Sequence, residues 1–303
     1  MGSLPEYLTD GHLVQGLSRW GGFVRTVLLV LVALVLVLGA AVVLAGARWR
    51  SATAALVTRL HDSSQPGGQA IYSSSELAGL PPPVARYLGA VLRDGQRIPA
   101  RARIEQRGTF AVKPRPDGWR PFSAVQQFAA RPAGFVWDAR IHMAPGLDFL
   151  VRDAFVDGTG SMYGTVMGAV PVVDVQGTPD IAAGALVRYL AEAVWMPTAL
   201  LPSQGVRWTP LDDTSARATL TAGGTTVSLD FFFGADGLVE RIYTPARGRD
   251  VKGTSVPTPW EGRWFEYGER GGVRVPTRGE VAWILDEGRM PYWRGEVTNV
   301  TYE

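Results

Sequence analysis

The 303-residue chain contains no cysteine. That excludes a disulfide framework, a thiolate metal site, a cysteine nucleophile and an acylated lipoprotein cysteine. It leaves the redox compartment open. Lysine is almost as scarce: of 30 basic residues only Lys113 and Lys252 are lysine, and the rest are arginine. The net charge of +2 gives no electrostatic argument for nucleic acid. Histidine occurs three times, at His12, His61 and His142, and only His142 falls in the region read below as the folded domain. One histidine cannot make a multi-histidine metal site. No G-x-S-x-G elbow is present, and Gly158-Thr159-Gly160 lacks the lysine and following helix of a phosphate loop. Neither a cofactor nor a metal is expected. Alternation of strand and helix is missing too, which argues against a doubly wound α/β fold.

Long apolar runs are confined to one place. Thr26 to Ala47 carries no charge and is bounded by Arg25 and by Arg48 and Arg50. At about 1.5 Å per residue it is long enough to cross a hydrocarbon core of about 30 Å. Trp20 and Trp49 fall at the interfacial positions that amphipathic aromatics favour. Ala45-Gly46-Ala47 fits a signal-peptidase site, but the run is long for a cleaved signal, so the reading is an uncleaved signal anchor. Counting arginines on the two sides does not decide its orientation. The divisions expected are a tail over 1–25, a transmembrane helix over 26–47, a juxtamembrane helix and linker over 48–79, and a β-rich domain over 80–303. The linker, DSSQPGGQAIYSSS, would let the domain stand off the bilayer.

Within the domain the rhythm is two. Ala102, Ile104, Gln106, Gly108, Phe110 and Val112 share one strand face, and 135–143 alternates cleanly between apolar residues and Asp138, Arg140 and His142. Asp157-Gly158 and Gly223-Gly224 sit between alternating runs as hairpin turns. The Gly/Pro-rich stretch 248–259 reads as a mobile flap. A short helix is predicted over 84–92. The longer helical stretch, 184–202, is preceded by Thr178 as N-cap and Pro179 as first helical residue, and Pro197 stops it. Leu186, Tyr189, Leu190 and Ala193 make one apolar stripe; Arg188, Glu192 and Trp195 make a second, mixed one. The expected fold is mainly β (α+β): a curved antiparallel sheet of about ten or eleven strands, a half-barrel, wrapped around one or two helices.

Several segments resemble an uncharacterised bacterial family, commonly membrane-anchored, whose members are known only as a domain of unknown function. They are Asp157-Gly158-Thr159-Gly160-Ser161-Met162, Arg188-Tyr189-Leu190-Ala191-Glu192 with Trp195 and Pro197 to Leu201, Val206-Arg207-Trp208, Val275-Pro276-Thr277, Glu280 to Trp283, and Pro291 to Gly295. The R-Y-L-x-E-x-x-W-x-P-T-A-L-L run is the most specific part. The sheet-plus-helix pattern is also similar, at the level of fold, to the half-barrel of the periplasmic lipoprotein carriers LolA and LolB, whose unclosed sheet holds acyl chains. That resemblance implies an inner-membrane, single-pass protein with its N-terminus inside and its domain outside the cytoplasm.

Glu192 is the sharpest residue. It stands in the last turn of its helix, where the macrodipole disfavours an anion by about 0.3–1 kcal/mol. Arg188, one turn back, can pair with it. Either the pair fixes the helix against the sheet, or the carboxylate serves a cavity mouth. The candidate ligand-binding set is Arg188, Glu192, Trp195, Trp208, Trp264 and Trp283, with no catalytic residue assigned. His142 and Asp138, four residues apart on one strand, are about 13 Å apart and cannot form a hydrogen bond along it. The partners expected are the membrane, through Thr26 to Ala47, and a lipid or other hydrophobic ligand, but no nucleic acid; protein partners are not specified. The first functional reading is a non-catalytic, membrane-anchored domain that binds that ligand in a sheet/helix cavity. The second is an envelope scaffold with a filled core, and the third a hydrolase using Glu192 with Asp153 or Asp157.

Overall fold

The computed structural model describes residues 11–64, 70–113 and 118–303, with side chains from Val24 onward. The expected tail before residue 11, linker positions 65–69, turn positions 114–117 and the Trp20 side chain lie outside that description. Helix α1 (Gly11–Ser63) is one uninterrupted element. Its segment from Val24 on is long and apolar enough to cross a membrane, and none of its most apolar stretch is buried in the protein. Below that stretch the helix docks: Trp49 and Leu60 are buried, and Leu60 packs with Ala129, Val136, Ala154 and Val156. The linker therefore does not hold the domain away from the helix. Helix α2 spans Pro82–Val91.

Strands β1 (Arg101–Ala111), β2 (Trp119–Ala129), β3 (Gly134–Ala144), β4 (Leu147–Val156), β5 (Thr159–Val166) and β6 (Val170–Gln176) precede helix α3 (Pro179–Glu192). Strands β7 (Arg207–Asp212), β8 (Ser215–Ala222), β9 (Thr225–Phe233), β10 (Val239–Val251), β11 (Thr254–Arg270), β12 (Val273–Leu285) and β13 (Gly288–Tyr302) follow it. All belong to one 13-stranded sheet in the order β6-β5-β4-β3-β2-β1-β13-β12-β11-β10-β9-β8-β7. Two antiparallel meanders are thus joined where β1 pairs with β13, with Ile104 opposite Val300.

The half-barrel expectation is overturned. The strand order is that of one open sheet with β6 and β7 as its two edges, and it has more strands than expected. Those edge strands are separated in the chain by α3 and by short 3-10 turns at Ala193–Trp195, Pro197–Leu200 and Pro202–Gln204, and no ladder joins them. The expected flap over 248–259 is also corrected: these residues belong to the β10–β11 hairpin, closed by a Lys252-Gly253 turn. Both turn residues have positive φ, the type I′ geometry that matches strand twist.

The two meanders do touch, turn against turn. Asp157-Gly158 and Gly223-Gly224 are both positive-φ hairpin turns. A Cβ built on Gly223 would lie 2.0 Å from the Gly158 Cα, so only glycine permits this approach.

Alternation sets the layers. In β3, Phe135, Trp137, Ala139 and Ile141 enter the main core, while Val136 points to the opposite face and meets α1. Helix α3 lies on the core face and contacts β3, β4, β5, β9 and β10, which are strands from both meanders.

Candidate functional site

Helix α3 begins as its sequence dictates. Thr178 caps it, its hydroxyl accepting from the Ile181 N–H at 3.3 Å, and Pro179 is the first helical residue. The helix ends at Glu192, earlier than the apolar rhythm suggests, and the chain continues in 3-10 turns around Pro197. On its apolar stripe, Tyr189 stacks on Phe128 with ring centroids 4.4 Å apart and donates its hydroxyl to the Ala129 carbonyl at 3.0 Å. Leu186, Leu190 and Ala193 are fully buried.

The mixed stripe builds a buried ionic network. Arg188 donates through Nε to Glu192 Oε1 at 2.9 Å and through a terminal nitrogen to Asp153 Oδ2 at 2.8 Å. Its guanidinium lies over the Trp137 ring at 4.5 Å and the Phe135 ring at 5.1 Å. Glu192 Oε2 accepts from Gln126 Nε2 at 2.8 Å. Gln106 donates to Gln126 Oε1 at 3.4 Å and accepts from the Trp137 indole at 2.8 Å. A chain of polar contacts therefore runs from β3 through β1 and β2 to α3 and back to β4.

Burial pushes the Glu192 carboxyl above the usual carboxylate range, against the opposing pull of Arg188 and Gln126. Burial would depress Arg188, but the Glu192 and Asp153 carboxylates outweigh it and hold the guanidinium firmly protonated. Two carboxylates share one cation here. An arrangement of this kind persists in a low-dielectric interior only when its hydrogen bonds are satisfied.

Beside the network lies a cavity of about 250 Å³ between the sheet and α3. Asp153, Arg188 and Glu192 line it together with Arg247, Tyr292 and an otherwise apolar wall that includes Phe110, Phe149, Val151, Met162 and Trp260. Larger clefts of about 490, 550, 610 and 270 Å³ occur elsewhere; those of 550 and 610 Å³ are the more open surface grooves. This cavity is the one in which buried charge meets apolar wall.

The residues singled out from sequence separate in space. Arg188 and Glu192 line the cavity together. Trp283 stands behind it, stacked on Tyr292 at 5.8 Å. Trp195 is fully buried in its 3-10 turn, donates to the Pro276 carbonyl at 3.1 Å and meets Trp264 edge-on at 5.1 Å. Trp264 is likewise in the core. Trp208 is on edge strand β7, bonded to the Leu200 carbonyl and edge-on to Phe231. Asp157 pairs with Arg59 of α1 at 2.9 Å, remote from Glu192's partners. Asp138 accepts from the Trp49 indole and His142 bonds Asp148, so these two have separate partners.

Sequence reading missed Arg247, Tyr292 and Gln126. A bulge at Pro245-Ala246 shifts the β10–β11 register between Thr244 and Arg247 and re-aims the arginine. Gln106 did carry a signal: a lone amide on an otherwise apolar strand face needs a buried partner.

Fold and site together define a sheet-and-helix domain with an ion-paired, apolar-walled pocket and an N-terminal helix long and apolar enough to cross a membrane. The chain belongs to DUF6920, a family of unknown function, which matches residues 78–302. No match is found among curated proteins. Among solved structures, the chain is similar to a DUF1329 family protein from Desulfovibrio piger, with 11% identity and a TM-score of 0.37 over 68% of this chain and 86% of that one. It is also similar to a LolA superfamily protein from Nitrosomonas europaea, with 10% identity and a TM-score of 0.36 over 67% and 85%. Likeness at this level carries no ligand, activity or partner over to this chain.

Proposed function

We propose that this is a membrane-anchored domain, lying outside the cytoplasm with its N-terminus inside, that binds a lipid or other hydrophobic molecule in the cavity between the sheet and α3. The observation that carries the reading is the cavity itself: an apolar, aromatic-walled space of about 250 Å³ with a few convergent polar groups. That is the usual character of a small-molecule site, with a volume just below the usual range of about 300–1,000 Å³. A single chain or small ring system suits it better than a multi-chain lipid. The reading assigns no bond-breaking step, since both Glu192 and Asp153 are engaged by Arg188.

The test is photolabelling of the full chain in nanodiscs with a diazirine-bearing dodecanol. Saturable labelling of peptides from β4, β5 and β10, lost in Val151→Trp, supports the reading. The absence of saturable labelling in the wild type would overturn it. Orientation is tested separately, and the lack of native cysteine makes this simple. Ser255→Cys, on the exposed β10–β11 hairpin, should react with an impermeant maleimide in intact cells, and Ser3→Cys only after permeabilisation. The reverse pattern would place the domain inside.

A further inference from the structure

The cavity's charges are unequally partnered. Arg188 holds both cavity carboxylates. Arg247, which lines the same space, has no carboxylate partner among the described residues. Its two hydrogen bonds go to neutral acceptors, the Tyr292 hydroxyl at 3.1 Å and the Gly184 carbonyl at 3.1 Å. Its guanidinium lies over the rings of Trp260 at 4.9 Å and Trp283 at 5.7 Å.

Tyr292 is used in one direction only. Its oxygen accepts from Arg247 and from the Trp260 indole at 2.8 Å. A hydroxyl has two acceptor sites and one donor. With both acceptor sites taken, the O–H proton is left to donate. The indole N–H of Trp293, another cavity-lining residue and only 6% exposed, is also without a partner among the described residues. Unused donors therefore lie on the β10–β13 side of the cavity, beside a cation with no directly bonded carboxylate, while the cavity carboxylates Glu192 and Asp153 are both held by Arg188.

From this we infer that the cavity selects amphiphiles with an anionic head, a carboxylate or a phosphate monoester, seated on Arg247 and the Tyr292 hydroxyl with the chain along Phe149, Val151 and Met162. Arginine's planar fork matches both oxyanions. An oxyanion there would be the first anionic group bonded directly to Arg247, whose present acceptors are the neutral Tyr292 hydroxyl and Gly184 carbonyl. The inference rests on the binding reading above and narrows it to a ligand class.

The experiment uses the full chain in nanodiscs, labelled with the diazirine-bearing dodecanol and challenged with dodecanoate, dodecyl phosphate, dodecanol and dodecyltrimethylammonium. At least one of the two anions should displace the label at a concentration about tenfold or more below that of dodecanol, as for a charge-assisted bidentate contact. Which of them is stronger distinguishes a fatty-acid head from a phosphate head. The anion-to-dodecanol potency ratio should fall towards one in Arg247→Gln and also in Tyr292→Phe, which removes a single oxygen. Arg217→Gln, whose arginine pairs with Asp230 on the surface, should keep the ratio. If the wild type shows no anion preference, or the preference survives in both cavity variants, the inference is overturned while the binding reading stands. If dodecanol itself fails to label, both fall.

Discussion

Trp49 of α1 lies ring on ring with Tyr163 of β5, centroids 5.9 Å apart and planes inclined by 22°. The guanidinium of Arg152 sits over the same indole at 4.7 Å and bonds Thr53 at 3.0 Å, while the indole N–H is held by Asp138 at 3.0 Å. The last residues before the domain are thus part of the domain. Trp49→Ala should cost about 3–5 kcal/mol through lost packing and the stranding of Asp138 and Arg152. Chemical unfolding and protease sensitivity over residues 49–60 would report it, and an unchanged midpoint would show that this clamp is dispensable.

Arg188→Met should be more damaging than removing a surface ion pair. It leaves Glu192 and Asp153 buried without their cation, a loss of about 3–5 kcal/mol near neutral pH. Burial already raises the Glu192 carboxyl against the pull of Arg188, so without that cation Glu192 binds a proton still more readily when folded than when unfolded. The stabilising protonated form is then present at low pH and lost as pH rises through the folded-state value. The deficit relative to wild type should therefore shrink in acid. A deficit independent of pH would point to packing alone.

Burial pushes the Asp138 carboxyl above its ordinary range, against the bonds from Trp49 and Thr53 and the charge of Arg152. A raised folded-state value means that stability from this group is present below the unfolded value of about 3.9 and declines as pH climbs through the folded one. Asp138→Asn keeps an acceptor for Trp49 and should flatten that decline. Urea midpoints across the acid range would show it; an unaltered slope would assign the decline to other groups.

Gly158→Ala and Gly223→Ala should each lower stability by more than Gly224→Ala. All three have positive φ, which alone costs a side chain about 1–2 kcal/mol. Only the first two also drive a Cβ into facing backbone, whereas nothing lies within 4 Å of a Cβ on Gly224. Equal losses at the three positions would mean that the meeting of the two turns contributes nothing.

Gly168, in the β5–β6 turn, rests against the α1 backbone at Ala45 and Gly46, where the apolar span ends. The Met167 N–H joins this turn to Asp148, next to Leu147. Leu147, Val170 and Val172 are exposed here. Their position predicts immersion in the interfacial region, as for other apolar side chains at a headgroup boundary. A nitroxide at 172 should be relaxed by lipid-phase oxygen and shielded from an aqueous nickel chelate, and one at 211, on the far edge strand, should show the opposite. Equal aqueous accessibility at the two sites would count against immersion.

Much of the scaffold was legible in the sequence because it is written locally. Thr178 and Pro179 start α3, two-residue turns such as Asp157-Gly158 set hairpin register, and alternation in β3 assigns its faces. Whether the sheet curls is decided by how its far strands meet, which no local period encodes. Residues 248–259 read as a loop through their Pro and Gly, yet Gly248 pairs with Pro257 inside a ladder. At the site, Arg188 and Glu192 were visible as an i,i+4 pair, but their third partner Asp153 lies 35 residues upstream in β4. Arg247 was hidden by its bulge.

Helix α1 contains no proline from Gly11 to Ser63 and passes unbroken from the apolar span to the clamp at Trp49 and the buried Leu60. Ala47 to Leu60 is about 20 Å of rigid rod at 1.5 Å per residue. Such a rod has no hinge about which the domain could swing. With that helix as the proposed membrane anchor, its tilt would set the attitude of the whole sheet. On the binding reading proposed above, such a domain would be a stationary berth, and its ligand would have to travel to it, from the lipid below or from a partner tall enough to reach it.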